Sequence, residues 1–254
     1  MDRRGFLRAA GIGCGLVLVG GAGYLALSDD DPLDDHRDAT VKVFARRYGS
    51  GQATELAAAV DAAYGELAAD APYIGGEDNV FSEWLSYGVY YLAVNRVLAS
   101  HDEPLEVSGR VIYDIFEAQA EYPDWMLRAI GKLRYGRGYV KRLQAAVDGL
   151  GERRYEGNWV GRWVEGDGQE FDYGIDFTEC GICKYYAAQG VPELAPYLCL
   201  SDEVGSRACG RGLVRYTTVA EGGSVCDFRF KWGRETYVAP LRDGWPPQFA
   251  GTMA

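Results

Sequence analysis

The sequence predicts an α+β protein in which a helical N-terminal half packs on a small antiparallel β-sheet with short helices. Three observations carry this. From about residue 50 to 150 apolar side chains recur at the helical period, and beyond Gly151 they alternate at period two. Five of the six cysteines crowd between Cys180 and Cys226, which places the chemistry in the second half. A chain of 254 residues with 48% hydrophobic side chains can bury one sizeable core. A single domain is assigned to residues 39–254, helical over 39–150 and sheet- and cysteine-rich over 151–254. The formal charge of −11 and the lack of a contiguous basic run argue against a nucleic-acid partner.

The helical stripes follow in order. Leu56, Val60, Ala63, Tyr64 and Leu67 form the first. Phe81, Trp84, Leu85, Gly88, Tyr91, Leu92, Asn95 and Leu98 form a longer one that starts near Asp78. Val107, Val111, Ile115 and Gln119 make a third, stopped by Pro123. Two shorter helices carry Trp125, Leu127, Ile130 and Leu133, then Val140, Leu143, Val147 and Leu150. Core packing accounts for these stripes, with Tyr87, Tyr90, Tyr91 and Asn95 as candidates to line a pocket.

In the second half, Trp159–Val164 and Phe171–Phe177 read as a hairpin across Gly166–Gly168. Leu213–Val219 and Val225–Trp232 read as another, turning at residues 221–224, with Cys226, Phe228, Phe230 and Trp232 on one face. Short helices are expected over Gly181–Gln189 and Ser201–Gly210, separated by a loop at Pro192 and Pro196.

Residues 1–28 lie outside this fold. Arg3-Arg4-Gly5-Phe6-Leu7-Arg8 precedes nineteen uncharged residues, Ala9–Leu27, and resembles a twin-arginine export signal. The resemblance implies the twin-arginine translocation machinery as a partner and a periplasmic or other extracytoplasmic location. Residues 9–27 are also nearly long enough to remain as a membrane anchor. The acidic stretch 29–38 is expected to be a charged, flexible linker. His36, within it, and His101, in a loop beside Asp102 and Glu103, are expected at the solvated surface, which disfavours Cys–His or Ser–His catalysis.

The cysteine spacing is Cys180-x2-Cys183-x15-Cys199-x9-Cys209-x16-Cys226. It lacks the second Cys-x2-Cys of a zinc ribbon. Three readings stay open. A metal ion, zinc for preference, is held by Cys180, Cys199, Cys226 and Asp202; two disulfides leave one thiol over; or the thiols are simply buried. Cys180 begins a helix, whose N-terminus stabilises a thiolate.

Several motifs in order carry a resemblance to the L-2-amino-thiazoline-4-carboxylic acid hydrolase family: Phe177-Thr-Glu-Cys-Gly-Ile-Cys-Lys-Tyr-Tyr, Val191–Asp202, Leu213–Gly223 and Cys226-Asp-Phe-Arg-Phe. The Gly-Gly-x-x-Cys-x-Phe ending is also similar, more weakly, to 4-vinyl-reductase-type ligand-sensing domains. Tyr216 departs from the family motif, which usually has Thr after the Arg. The family resemblance implies hydrolysis of a carbon–nitrogen bond in a small cyclic amidine or amide. Such a reaction needs activated water, a carboxylate facing the amidinium and a cation for the substrate carboxylate. The implied catalytic residues are Cys180, Asp202, Glu179 and Arg215: Asp202 or Glu179 pairs with the amidinium, Arg215 clamps the carboxylate, and a Cys-bound metal activates water. The alternatives are a non-catalytic small-ligand or metal-binding domain of the cell envelope and a structural protein stapled by disulfides.

Overall fold

The structure, a computed structural model, describes residues 31, 33–241, 244 and 245. The export signal and anchor assigned to residues 1–28 lie outside the described residues. Among the described residues no helix is long and apolar enough to cross a membrane.

Helix α1 spans Asp34–Tyr48 and α2 Ser50–Ala69, joined at Gly49. The linker expectation for 29–38 therefore fails from Leu33 onward. Leu33, His36, Ala39, Thr40, Val43 and Phe44 face the core, a helical stripe hidden among charges. Asp34 and Asp35 occupy the first turn, where the helix dipole favours carboxylates. Helix α3, Val80–Ala99, is the central helix, and its start is fixed by Asn79, whose side chain accepts the Phe81 amide at 3.0 Å. Helices α4 (Leu105–Gln119), α5 (Asp124–Arg134) and α6 (Arg137–Gly149) complete the helical half. Helix α4 meets the later Tyr197 ring at Gly109, where a Cβ would lie 2.2 Å from Tyr197 Cδ1. Gly109→Ala is expected to destabilise the fold by about 3 kcal/mol despite alanine's helix propensity, read as a lowered urea midpoint at unchanged m-value.

The sheet has five strands in the order β1-β2-β4-β3-β5. They are β1 (Val160–Glu165), β2 (Tyr173–Glu179), β3 (Leu213–Arg215), β4 (Cys226–Phe230) and β5 (Tyr237–Val238). The sheet is mixed, because β5, unforeseen in the sequence, runs parallel to β3. Two residues carry too short a period-two signal to be read. The second hairpin is also shorter than the sequence suggested. Asp227 accepts the amides of Tyr216 and Thr217 at 2.9 and 2.7 Å, which ends the strand pairing after Arg215.

Register decides what the sheet presents. Tyr173, Ile175 and Phe177 stand opposite Phe230, Phe228 and Cys226, so all six share one face. Trp163 stacks on Tyr173 at 5.2 Å and Tyr173 on Phe230 at 4.9 Å, giving the sheet an aromatic floor. Phe177 and Trp159 pack against Phe81 and Trp84 of α3. Between β2 and β3 lie helices α7 (Gly181–Ala188), α8 (Ala195–Cys199) and α9 (Ser201–Cys209).

Candidate functional site: a thiol, carboxylate and guanidinium cluster

Cys180 stands at the N-cap of α7, where β2 turns into the helix. The turn requires Gly181, because a Cβ there would lie 2.7 Å from the Gly157 carbonyl and the Trp159 ring. Tyr186 of α7 donates to the Gly88 carbonyl at 2.8 Å and locks the helix onto α3. Cys180 thereby has a fixed place beside the end of the aromatic floor.

Three other segments converge on it. Cys199 closes α8, Asp202 lies in the first turn of α9, and Arg215 ends β3. Arg215 is buried, binds Asp202 through one guanidinium nitrogen, and donates through Nη2 to the Cys199 carbonyl at 2.9 Å. Its cation also lies 5.2 Å above the Phe228 ring. Cys226 points inward from β4, and its sulfur accepts the Val219 amide at 3.2 Å. Cys199 and Cys226 each feel the charges of Cys180, Asp202 and Arg215, and Cys180 feels that of Asp202.

The five thiols of Cys180, Cys183, Cys199, Cys209 and Cys226 are free, so the disulfide alternative is not met among the described residues. Their acidities diverge. The neighbouring Cys183 thiol lowers the pKa of Cys180 against the cost of burial, helped by the Cys183 and Ile182 amides at the helix N-terminus. Burial pushes Cys199 well above the usual thiol value and Cys226 up to about 11. Cys183, facing the Cys180 sulfur, is also raised. Asp202 keeps 39% of its side chain exposed, yet burial raises its pKa against the pull of Arg215.

Among the described residues no three His, Cys, Asp or Glu groups lie close enough together to hold a metal ion. Cys180, Cys199, Asp202 and Cys226 share a neighbourhood, but the Asp202 carboxylate is committed to Arg215. Glu179 does not join them. It turns to the other side of the strand end, paired with Lys184 at 2.7 Å and Arg153 at 2.8 Å.

Sequence reasoning missed Arg211. Gly210 and Gly212, both left-handed at φ 69° and 63°, hold it in a turn after α9. Its guanidinium carbon lies 4.0 Å from the Tyr135 ring centroid and 4.4 Å from that of Phe230. Nη2 reaches the Tyr173 hydroxyl at 3.4 Å, while the buried Nε has no hydrogen-bond partner among the described residues. Its charge is felt by Asp202, so a second cation adjoins the cluster. A charged residue between two glycines was the available signal.

A polar chain continues behind this point. Arg134 pairs with Glu83 at 2.7 Å, Glu83 accepts the Tyr87 hydroxyl, and the His36 ring lies 4.5 Å from the Tyr87 ring. His36 is buried, with Nδ1 2.6 Å from the Tyr91 hydroxyl and 3.2 Å from Gln119 Nε2. This corrects its surface assignment. His101 does lie at the surface, with Nδ1 2.9 Å from the Val97 carbonyl.

Fold and site together define an α+β protein in which Cys180, whose pKa is lowered, lies in one cluster with the Asp202 carboxyl and two guanidinium groups. The family model of L-2-amino-thiazoline-4-carboxylic acid hydrolase matches residues 82–230, and the chain belongs to that family. The match runs from α3 through β4 and so includes every member of the cluster. No curated protein and no solved structure matches the chain.

Proposed function

We propose that the chain is a hydrolase that opens a carbon–nitrogen bond of a small cyclic amidine or amide carrying a carboxylate. L-2-amino-thiazoline-4-carboxylate is the reference substrate. The observation that carries this reading is the convergence of Cys180, at a helix N-terminus, with the Asp202–Arg215 pair and the Cys199 carbonyl that Arg215 binds; Cys180 is also the one described cysteine whose pKa is lowered.

The Cys180 thiolate adds to the amidine carbon. The ring nitrogen leaves as an amine, taking a proton from Asp202, which its raised pKa equips as a general acid. Water then attacks the thiol-bound carbon, Asp202 accepts its proton, and Cys180 departs, leaving a ring-opened carbamoyl product. Arg215 is engaged with Asp202 and the Cys199 carbonyl, so it holds the acid in place instead of clamping substrate. Arg211, with no carboxylate bound among the described residues, takes the substrate carboxylate. No step is assigned to a metal ion or to Glu179.

Incubation of the purified protein with the reference substrate is expected to give the ring-opened product by mass spectrometry. Asp202→Asn should lower kcat by about 10²-fold. Arg211→Met should raise KM by about tenfold or more with a smaller change in kcat. Turnover untouched by both substitutions would refute the site, and an undiminished KM effect transferred to Arg215→Met would reverse the two arginine roles.

A further inference from the structure

Between Trp125 and Val147 the sequence holds six Lys and Arg residues and no Asp or Glu, in a chain of net charge −11. The cations are spaced through two helices, so they never form a contiguous run. On α5 the exposed positions are Asp124 in the first turn and then Trp125, Arg128, Ala129, Lys132 and Leu133, the i, i+3, i+4, i+7, i+8 pattern of one helix face. Met126, Leu127 and Gly131 face the core from the other side. Trp125 is 69% and Leu133 59% exposed, among the most exposed large apolar side chains described. Lys141 and Arg142 of α6 are exposed as well. None of Arg128, Lys132, Lys141 and Arg142 has an ion pair among the described residues, whereas Arg134 turns inward to Glu83.

We propose that this face of α5, with the adjoining cations of α6, docks on an anionic lipid surface. Bulky apolar side chains flanked by cations are the makeup of a helix lying in a membrane interface, with Trp at the headgroup level. Charge complementarity selects the partner. The rest of the protein is repelled by anionic lipid, so this patch fixes which side approaches. A nucleic-acid groove would use the cations but gain nothing from an exposed Leu133. The uncharged segment Ala9–Leu27 supplies an independent reason for the chain to be near a bilayer. The proposal does not rest on the hydrolase reading.

Amide exchange of the full chain tests it on phosphatidylglycerol-containing vesicles against pure phosphatidylcholine vesicles. Exchange over residues 124–134 should slow with the anionic vesicles only, and brominated lipid should quench Trp125, seen by comparison with Trp125→Phe. Arg128→Glu/Lys132→Glu should cut the anionic-lipid-dependent protection by about tenfold or more. Both side chains are exposed, so the fold should persist, with Trp125→Ala as a second variant. Equal protection on neutral vesicles, protection kept in the charge-reversed variant, or the same protection by polyglutamate or duplex DNA would each overturn it.

Discussion

Cys180→Ala should lower kcat by on the order of 10³-fold or more, while Cys209→Ala leaves it unchanged. The contrast follows from position. Cys180 sits at a helix N-terminus beside a second thiol and beside Asp202, and it alone among the five thiols is shifted toward the thiolate. Cys209 is buried against Gly131 with its pKa raised by burial. An amidine-bearing alkylating agent such as 2-chloroacetamidine should therefore label Cys180 first. Because the Cys180 pKa lies below the ordinary thiol value, labelling should plateau at a lower pH than for a free cysteine. Cys183→Ala removes the largest stabilising contact, and the plateau should move to higher pH with the fold intact. Labelling spread evenly over the thiols, or full turnover by Cys180→Ala, would dismiss Cys180 as the nucleophile.

Acid should unfold the protein through His36. Burial lowers its pKa from 6.5 to about 3, with the Arg134 and Arg37 charges adding to the effect and Asp31 opposing it. The unfolded chain takes up a proton near 6.5 that the folded protein refuses until about 3. Stability from the neutral ring is therefore complete above about pH 6.5 and declines as pH falls through that window. At pH 4.5 the loss is on the order of 2–3 kcal/mol, at about 1.4 kcal/mol per pH unit below 6.5. His36→Gln keeps a hydrogen-bonding side chain toward Tyr91 and Gln119 but cannot titrate. Urea unfolding at pH 7.5 and 4.5 should show a markedly smaller difference for the variant than for the parent. Equal pH dependence in both proteins would show that other groups govern acid unfolding.

The two histidines illustrate how reading by composition fails. His36 was hidden because Asp34, Asp35, Arg37 and Asp38 surround it, and a charge run reads as solvated linker. Yet Leu33, His36, Thr40, Val43 and Phe44 keep helical spacing, and burial at those positions orders the segment. β5 escaped for a different reason: its two residues gain their pairing from β3, a partner distant from any local pattern.

The cysteine site was partly legible. Strand alternation placed Cys226 on the inner face with Phe228 and Phe230, and the helix start placed Cys180 at a positive dipole end. These are short-range consequences of chain geometry. Partner choice among charges was not legible, because it depends on which loops meet. Nothing in the local pattern pairs Asp202 with Arg215; the fold alone sets them together. Glu179, adjacent to Cys180, binds Arg153 and Lys184 on the opposite side.

The sequence by itself determined the α+β division, most helices, both hairpins and the family, since periodicity and ordered motifs are properties of neighbouring residues. Only the tertiary structure decided that His36 is buried, that Arg215 holds Asp202, and that Arg211 lies over the Tyr135 and Phe230 rings. The physical reason is that burial and ion pairing are set by distances between segments far apart in the chain, and local pattern carries no record of those distances.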